Sequence, residues 1–144
     1  MKAVVQRVSR ACVKVEGETV GEINNGLLLL IGFGKDDKEE SFKPLIQKII
    51  NLRIFSNDKG RFDFSVLDIK GEILAVPQFT LFADCTKGRR PEFFEAMQPD
   101  TAKIYFDKFC RELRQLSGLK VESGIFGADM KVTLTNDGPV TILL

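Results

Sequence analysis

The residues able to do chemistry are few. The chain contains no histidine, which removes Ser-His-Asp and Cys-His nucleophile arrangements, the commonest catalytic metal ligand and the usual general acid/base together. Any enzymatic reading must do without them. Pro77-Gln78-Phe79-Thr80-Leu81-Phe82-Ala83-Asp84 follows a β-rich segment, and Pro77, lacking an N–H, interrupts a strand ladder there. Such a break is where backbone N–H groups can point into a cleft. Thr80 is a tempting nucleophile, but its hydroxyl needs an activating base, and neither histidine nor an obvious lysine stands beside it. The ordinary reading of its side chain is a buried strand threonine. The backbone amides of Phe79 and Thr80 are better candidates, because donors held rigidly toward a developing oxyanion supply much of the catalysis of acyl transfer.

Three other stretches stand out. Cys85-Thr86-Lys87-Gly88-Arg89-Arg90-Pro91 is the one concentrated basic cluster, read either as a solvated loop or as a loop whose Lys87, Arg89 and Arg90 contact phosphates. Gly124-Ile125-Phe126-Gly127-Ala128-Asp129-Met130 reads as a turn with core anchors. It also suits a flat base held between Phe126 and Met130, with Gly127 and Ala128 letting the backbone approach the base edge. Asn136-Asp137-Gly138-Pro139 lies between β-rich Val132–Leu134 and Val140–Leu144 and reads first as a turn. Gly138 tolerates backbone conformations other residues cannot, and X-Pro bonds are the class in which cis is common. Such a corner presents two bare carbonyls in a fixed direction.

These segments need a scaffold. At 144 residues with 44% apolar content, the chain reads as a single domain spanning 1–144 with a sizeable core. A net charge of +1 confines any polyanion contact to a local cluster. Cys12, Cys85 and Cys110 are odd in number without CxxC spacing, which argues against a disulfide framework or zinc site and for a reducing compartment. No leader pattern or bilayer-length apolar run is present, so a cytoplasmic location is expected.

Residues 3–8 and 11–15 read as two strands, 19–23 and 27–33 as two more, with Glu16-Gly17-Glu18 and Asn24-Asn25-Gly26 as turns, so that the first third forms an antiparallel meander. Phe42, Leu45, Ile46, Ile49 and Leu52 follow helical spacing, with Pro44 near the first turn. Ala102, Tyr105, Phe106, Phe109, Leu113 and Leu116 mark a second helix from Pro99 to Ser117-Gly118. Strands are expected at 72–76, 120–122, 130–135 and 140–144. The pattern is α+β: a strongly curved, mostly antiparallel, barrel-like sheet covered by two long helices.

Val4-Val5-Gln6-Arg7-Val8, Gln78-Phe79-Thr80-Leu81, Phe126-Gly127-Ala128-Asp129-Met130 and Asn136-Asp137-Gly138-Pro139-Val140-Thr141, in this order and at this length, resemble the D-aminoacyl-tRNA deacylase family. The resemblance covers essentially the whole chain. It implies a homodimeric enzyme that hydrolyses the ester between a D-amino acid, or glycine mischarged on alanine tRNA, and the terminal adenosine of tRNA. It implies no metal and no cofactor; the partners are an aminoacyl-tRNA and a second copy of the chain, with neither membrane nor DNA. Gly138 and Pro139, joined by a cis bond, would enter the other subunit's site and exclude L side chains, with Arg7 holding the corner. Gln78, Phe79 and Thr80 would line the site through their main chain, Phe126, Gly127, Ala128 and Met130 would cradle the adenine, and chemistry would lean on the RNA's own 2′-hydroxyl. The family usually has serine before the glutamine, where this chain has Pro77. Proline there resembles related deacylases with a trans Gly-Pro bond and a relaxed chiral filter, but Phe79 and Gly138-Pro139-Val140-Thr141 keep the main family's form. Two rivals fit parts of the sequence: a non-catalytic RNA-end or nucleotide-binding module, and an esterase with Thr80 as nucleophile.

Overall fold

The apolar run at 27–31 is buried on both faces, which makes it the partition between two cores. The computed structural model describes residues 1–144. Its elements are β1 (Lys2–Val15), β2 (Glu18–Ile23), β3 (Gly26–Gly32), α1 (Phe42–Ile50), β4 (Phe55–Ser56), β5 (Phe62–Phe64), β6 (Glu72–Pro77), α2 (Pro99–Ser117), β7 (Val121–Ser123) and β8 (Met130–Leu143), with 3-10 turns at Glu39–Ser41 and Phe79–Phe82. Successive strand residues face opposite ways. Leu27, Leu29 and Ile31 therefore join the larger cluster under the helices, while Leu28 and Leu30 join a smaller one with Val8, Ala11, Val13, Ile23, Leu74 and Val76.

β3 pairs antiparallel with β1 and parallel with β6, which pairs parallel with β7. β2 folds over toward β6 and β7: a Cβ on Gly21 would lie 3.1 Å from Leu74 Cδ1 and 3.3 Å from the Ser123 carbonyl. The result is the expected single α+β domain, with a nearly closed, barrel-like mixed sheet and two helices. Pro99 opens α2 and Gly118, at φ 65°, ends it. The buried face of α2, Ala102, Phe106, Phe109, Cys110 and Leu113, matches the helical spacing read from the sequence. Burial pushes the Cys110 thiol up to about 12, so it is a packed, inert side chain. α1 is shorter than expected, nine residues ending before Leu52.

Three boundaries differ from the sequence reading. Residues 3–8 and 11–15 are one strand, because pairing with β8 continues through the exposed Ser9-Arg10 with a bulge between Val8 and Arg10. The extra residue turns Val8 and Ala11, three apart, to the same cluster. The meander is instead one long hairpin: Ala11↔Ile23 and Val8↔Gly26 lie in a common register against β1, so β2 and β3 form a single interrupted arm. Asn24-Asn25 is its break rather than a turn, its polar groups satisfied by Glu72: the Asn24 N–H donates to Glu72 Oε2 at 2.8 Å and the Glu72 N–H donates to the Asn25 carbonyl at 3.0 Å. Gly26 is required by that approach, since a Cβ there would lie 1.8 Å from the Glu72 carbonyl oxygen. Finally, Asn136-Asp137-Gly138-Pro139 joins no two strands. While β1 advances from Gln6 to Val8, β8 runs from Thr141 back to Asn136, and residues 137–140, facing Arg7 alone, are thrown out as a corner within one strand.

The Asn24 amide, and then Lys120 Nζ at 3.3 Å, hold the Glu72 carboxyl below its ordinary value. A folded value below the unfolded one stabilises fully above about pH 4.3, and the contribution disappears as pH falls through the folded value. Glu72→Gln should therefore be less stable than the parent at pH 7, with the gap closing below about pH 4. Urea midpoints between pH 3 and 7 check this; a gap independent of pH would exclude the charge as its source.

Candidate active site

β6 is buried through Ile73, Leu74, Ala75 and Val76, and its parallel ladder with β3 ends at Ile31↔Pro77. The Gln78 N–H makes one further bond, to the Ile31 carbonyl at 2.8 Å, before the chain leaves the sheet in the 3-10 turn Phe79–Phe82. That turn packs tightly on the end of β3: a Cβ on Gly32 would lie 2.8 Å from the Gln78 carbonyl oxygen, and Lys2 Nζ donates to the Leu81 carbonyl at 3.0 Å. Its own bonds run from the Leu81 N–H to the Gln78 carbonyl, 3.3 Å, and from the Ala83 N–H to the Thr80 carbonyl, 3.0 Å. The amides of Phe79 and Thr80, the first of the turn, stand outside this ladder.

Gln78 and Phe79 line a cavity of about 590 Å³ whose wall also includes Pro77, Phe93, Met97, Ala102, Phe126, Gly127, Ala128, Asp129 and Met130. Two segments read separately from the sequence are thus brought together. Phe126 leans on Phe106 of α2 at 6.5 Å between ring centroids, and Phe79 meets Phe93 edge-on at 4.9 Å. Met130 lies over Gly124, where a Cβ would come within 2.6 Å of its sulfur. The lining has one ionisable side chain, Asp129, which is exposed and paired with Lys131 at 3.0 Å. No three His, Cys, Asp or Glu side chains gather where they could hold a metal ion.

Thr80 corrects the sequence reading of its side chain. It lies exposed on the 3-10 turn, not buried in a strand, and its Oγ1 accepts a hydrogen bond from Gln78 Nε2. The reason is that sheet pairing ends with the Gln78 N–H, so Phe79–Phe82 leave the sheet as a 3-10 turn. Phe93, Met97 and Ala102 were not singled out from the sequence as lining. The signal available was the Phe93-Phe94 pair directly after the basic loop and ahead of α2.

The remaining candidates lie away from the cavity lining. Arg7 sits on the face of β1 that carries Ala3 and Val5 into the large core, and it is itself 8% exposed. Its Nη1 donates to the Ile54 carbonyl at 2.6 Å and its Nε to the Asp137 carbonyl at 3.0 Å, which anchors the corner. Asn136 closes the corner from within: its Oδ1 accepts the Val140 N–H at 2.9 Å, and its Nδ2 donates to Thr141 Oγ1 at 2.9 Å. The Gly138-Pro139 bond is cis, with Gly138 at φ 130°, and both residues are exposed. Lys87, Arg89 and Arg90 stand exposed on a loop closed at its base by the paired backbones of Asp84 and Glu92, 2.8 and 2.9 Å.

The family profile described as D-Tyr-tRNA(Tyr) deacylase matches residues 4–144. The chain belongs to this D-aminoacyl-tRNA deacylase family. It is 56% identical over its full length to the D-aminoacyl-tRNA deacylase of Thermosipho africanus, spanning 96% of that protein. It is 54% identical to that of Aquifex aeolicus, spanning 97%. Among solved structures, one named c-Myc DNA Unwinding Element Binding Protein superposes with a TM-score of 0.93 at 42% identity, covering 100% of this chain and 97% of that one. A probable eukaryotic D-amino acid tRNA deacylase shares the fold, with a TM-score of 0.88 at 19% identity over 99% of this chain and 97% of that chain. Members of this deacylase family are hydrolases of the aminoacyl-tRNA ester bond, so a tRNA substrate is implied.

In a deacylase with this cavity, Gly124 is what lets Met130 line the wall. Gly124→Ala should push the flexible thioether off Gly124 and into the cavity, raising KM for aminoacyl-tRNA roughly tenfold, about 1.4 kcal/mol, with little change in melting temperature. Steady-state kinetics beside a thermal melt test this; a fall in stability with unchanged KM would assign Gly124 to packing alone.

Proposed function

We propose that this deacylase removes D-amino acids, and glycine mischarged on alanine tRNA, from the terminal adenosine of tRNA. The chain works as a homodimer, each subunit lending its Gly138-Pro139 corner to the other's cavity. The observation that carries this reading is the meeting, in one cavity nearly free of ionisable groups, of the Gln78-Phe79 main chain with the Phe126–Met130 segment. Phe126 and Met130 supply apolar surface for the adenine, with Gly127 and Ala128 at its edge. Water adds to the ester carbonyl carbon, and the amides of Phe79 and Thr80 stabilise the oxyanion. The 3′-oxygen then leaves with a proton that the adjacent 2′-hydroxyl relays. The lack of any histidine and of a base on Thr80 favours this RNA-assisted route over a covalent one. The products are the free amino acid and tRNA with its 3′-hydroxyl restored.

In this reading the corner comes from a second copy. Gly138 and Pro139 are exposed and form no part of the cavity lining of their own chain, which supports a second copy as the source of the corner. Two-fold exchange satisfies both sites at once. A filter of main-chain carbonyls rejects an L side chain by volume and binds no side chain. Glycine should therefore be accepted along with many D-amino acids, and Pro77 bears on how strictly. The three free cysteines, one of them exposed at Cys85, fit a cytoplasmic enzyme.

Purified protein should hydrolyse D-Tyr-tRNA and Gly-tRNA and spare L-Tyr-tRNA. Thr80→Ala should keep most of the activity, and a substrate with hydrogen in place of the terminal 2′-hydroxyl should fail. Absence of hydrolysis with retained tRNA binding would leave the non-catalytic module, whereas an acyl adduct on Thr80 would establish the esterase.

Gly138→Ala would place a methyl group 2.8 Å from Val140 Cγ2 and 2.9 Å from Arg7 Nη2, at φ 130°. It should cut turnover of D-Tyr-tRNA by about a hundredfold, near 2.7 kcal/mol, with the dimer retained in sedimentation. Unaltered turnover would remove the corner from the site.

A further inference from the structure

The most exposed large apolar side chain is Phe94, 79% open. It stands on a turn closed by the Ala96 N–H donating to the Phe93 carbonyl at 3.0 Å. This turn is braced. The Lys35 N–H donates to the Glu95 carbonyl at 2.9 Å, Lys35 Nζ pairs with Glu95 Oε1 at 2.8 Å, and isolated bridges Asp84↔Glu92 and Gly34↔Ala96 bracket it on either side. An aromatic ring held in water on a braced frame forgoes the burial that apolar side chains ordinarily find. Phe93 and Ala96, the two ends of the turn, both line the cavity, so Phe94 stands at its rim, one Cα step of about 3.8 Å from the lining. The exposed loop that carries Lys87, Arg89 and Arg90 closes at the Asp84–Glu92 pair, two residues before Phe94.

An exposed aromatic next in the chain to both a cavity wall and a cationic loop offers what a single strand of nucleic acid requires: a flat surface for a base and charge for the phosphates. We propose that Phe94 is a stacking platform for the unpaired 3′ end of tRNA. It receives a base just upstream of the terminal adenosine, while Lys87, Arg89 and Arg90 take the phosphates that follow it away from the cavity. The proposal rests on the deacylase reading and adds a binding residue outside the chemical site.

The test uses the intact protein and a fluorescently labelled single-stranded RNA ending in CCA, so that binding is read independently of hydrolysis. Phe94→Ala should weaken binding roughly five- to a hundredfold, Phe94→Trp should restore it and Phe94→Leu should not. The log–log salt slope should stay that of the parent, whereas neutralising Arg89 or Arg90 should make it shallower by about 0.7 for each phosphate left without its cation. In steady-state deacylation, Phe94→Ala should raise KM and leave kcat. Unchanged affinity, or full rescue by leucine, overturns the stacking role. A change in association state on sedimentation also overturns it, and assigns Phe94 to an interface between copies. If the parent protein hydrolyses no D-aminoacyl ester, the functional reading fails while the oligonucleotide arm still decides on Phe94.

Discussion

The parallel pairing of β3 with β6 is the interaction on which the site depends. It makes β3 a central strand, with its alternate side chains in a core under the helices and in a core within the curved sheet, and the register of the pairing ends at Ile31↔Pro77. The Gln78 N–H makes the last bond to β3, while Pro77, on the side that faces β7, has no N–H to offer there, and the amides of Phe79 and Thr80 follow outside the ladder. Gly26 and Gly32 allow the close approach at the two ends of this pairing, against the Glu72 carbonyl and the Gln78 carbonyl respectively. Had either carried a side chain, the strand and the turn would be pushed away from β3, and the main-chain donors with them.

Backbone groups that line a cavity keep a fixed direction only where they are held. The fold holds them by ordinary means. A 3-10 turn is packed on a strand end, and an arginine 8% exposed is satisfied by the carbonyls of Ile54 and Asp137. An asparagine bonds across its own corner. Burying Arg7 is costly unless such partners exist, and they lie on β8 and at the entry to β4. The corner and the body of the domain are therefore fastened together by one side chain. The cavity wall works differently: its aromatic and sulfur surface needs shape rather than charge.

Much of this was legible in the residues. The spacing of Ala102, Phe106, Phe109 and Leu113 marks α2 and its buried face because helix geometry repeats every 3.6 residues. The run at 27–31 marks a strand covered on both sides, and Pro77 marks the end of pairing. Boundaries inside long strands were not legible. Ser9-Arg10 and Asn136-Asp137-Gly138-Pro139 look like interruptions from the sequence, and both lie inside continuous strands, because pairing across β1 and β8 passes through bulges that only the partner strand's register reveals. Thr80 was misplaced for a related reason: its burial depended on whether the sheet continued past Pro77.

By itself the sequence determined the absence of a histidine-based reagent, the two helical faces, the apolar partition strand and the chemical character of each candidate segment, since these follow from side-chain identity and local period. Which segments share a site was decided by the tertiary structure alone. Gln78-Phe79 and Phe126–Met130 are far apart in the chain and meet only because β6 and β7 run parallel and release both segments near the same end of the sheet. The Gly138-Pro139 corner stays apart from them because β8 carries it away along β1. Proximity of this kind is set by strand pairing between distant residues, and no local pattern of amino acids encodes it.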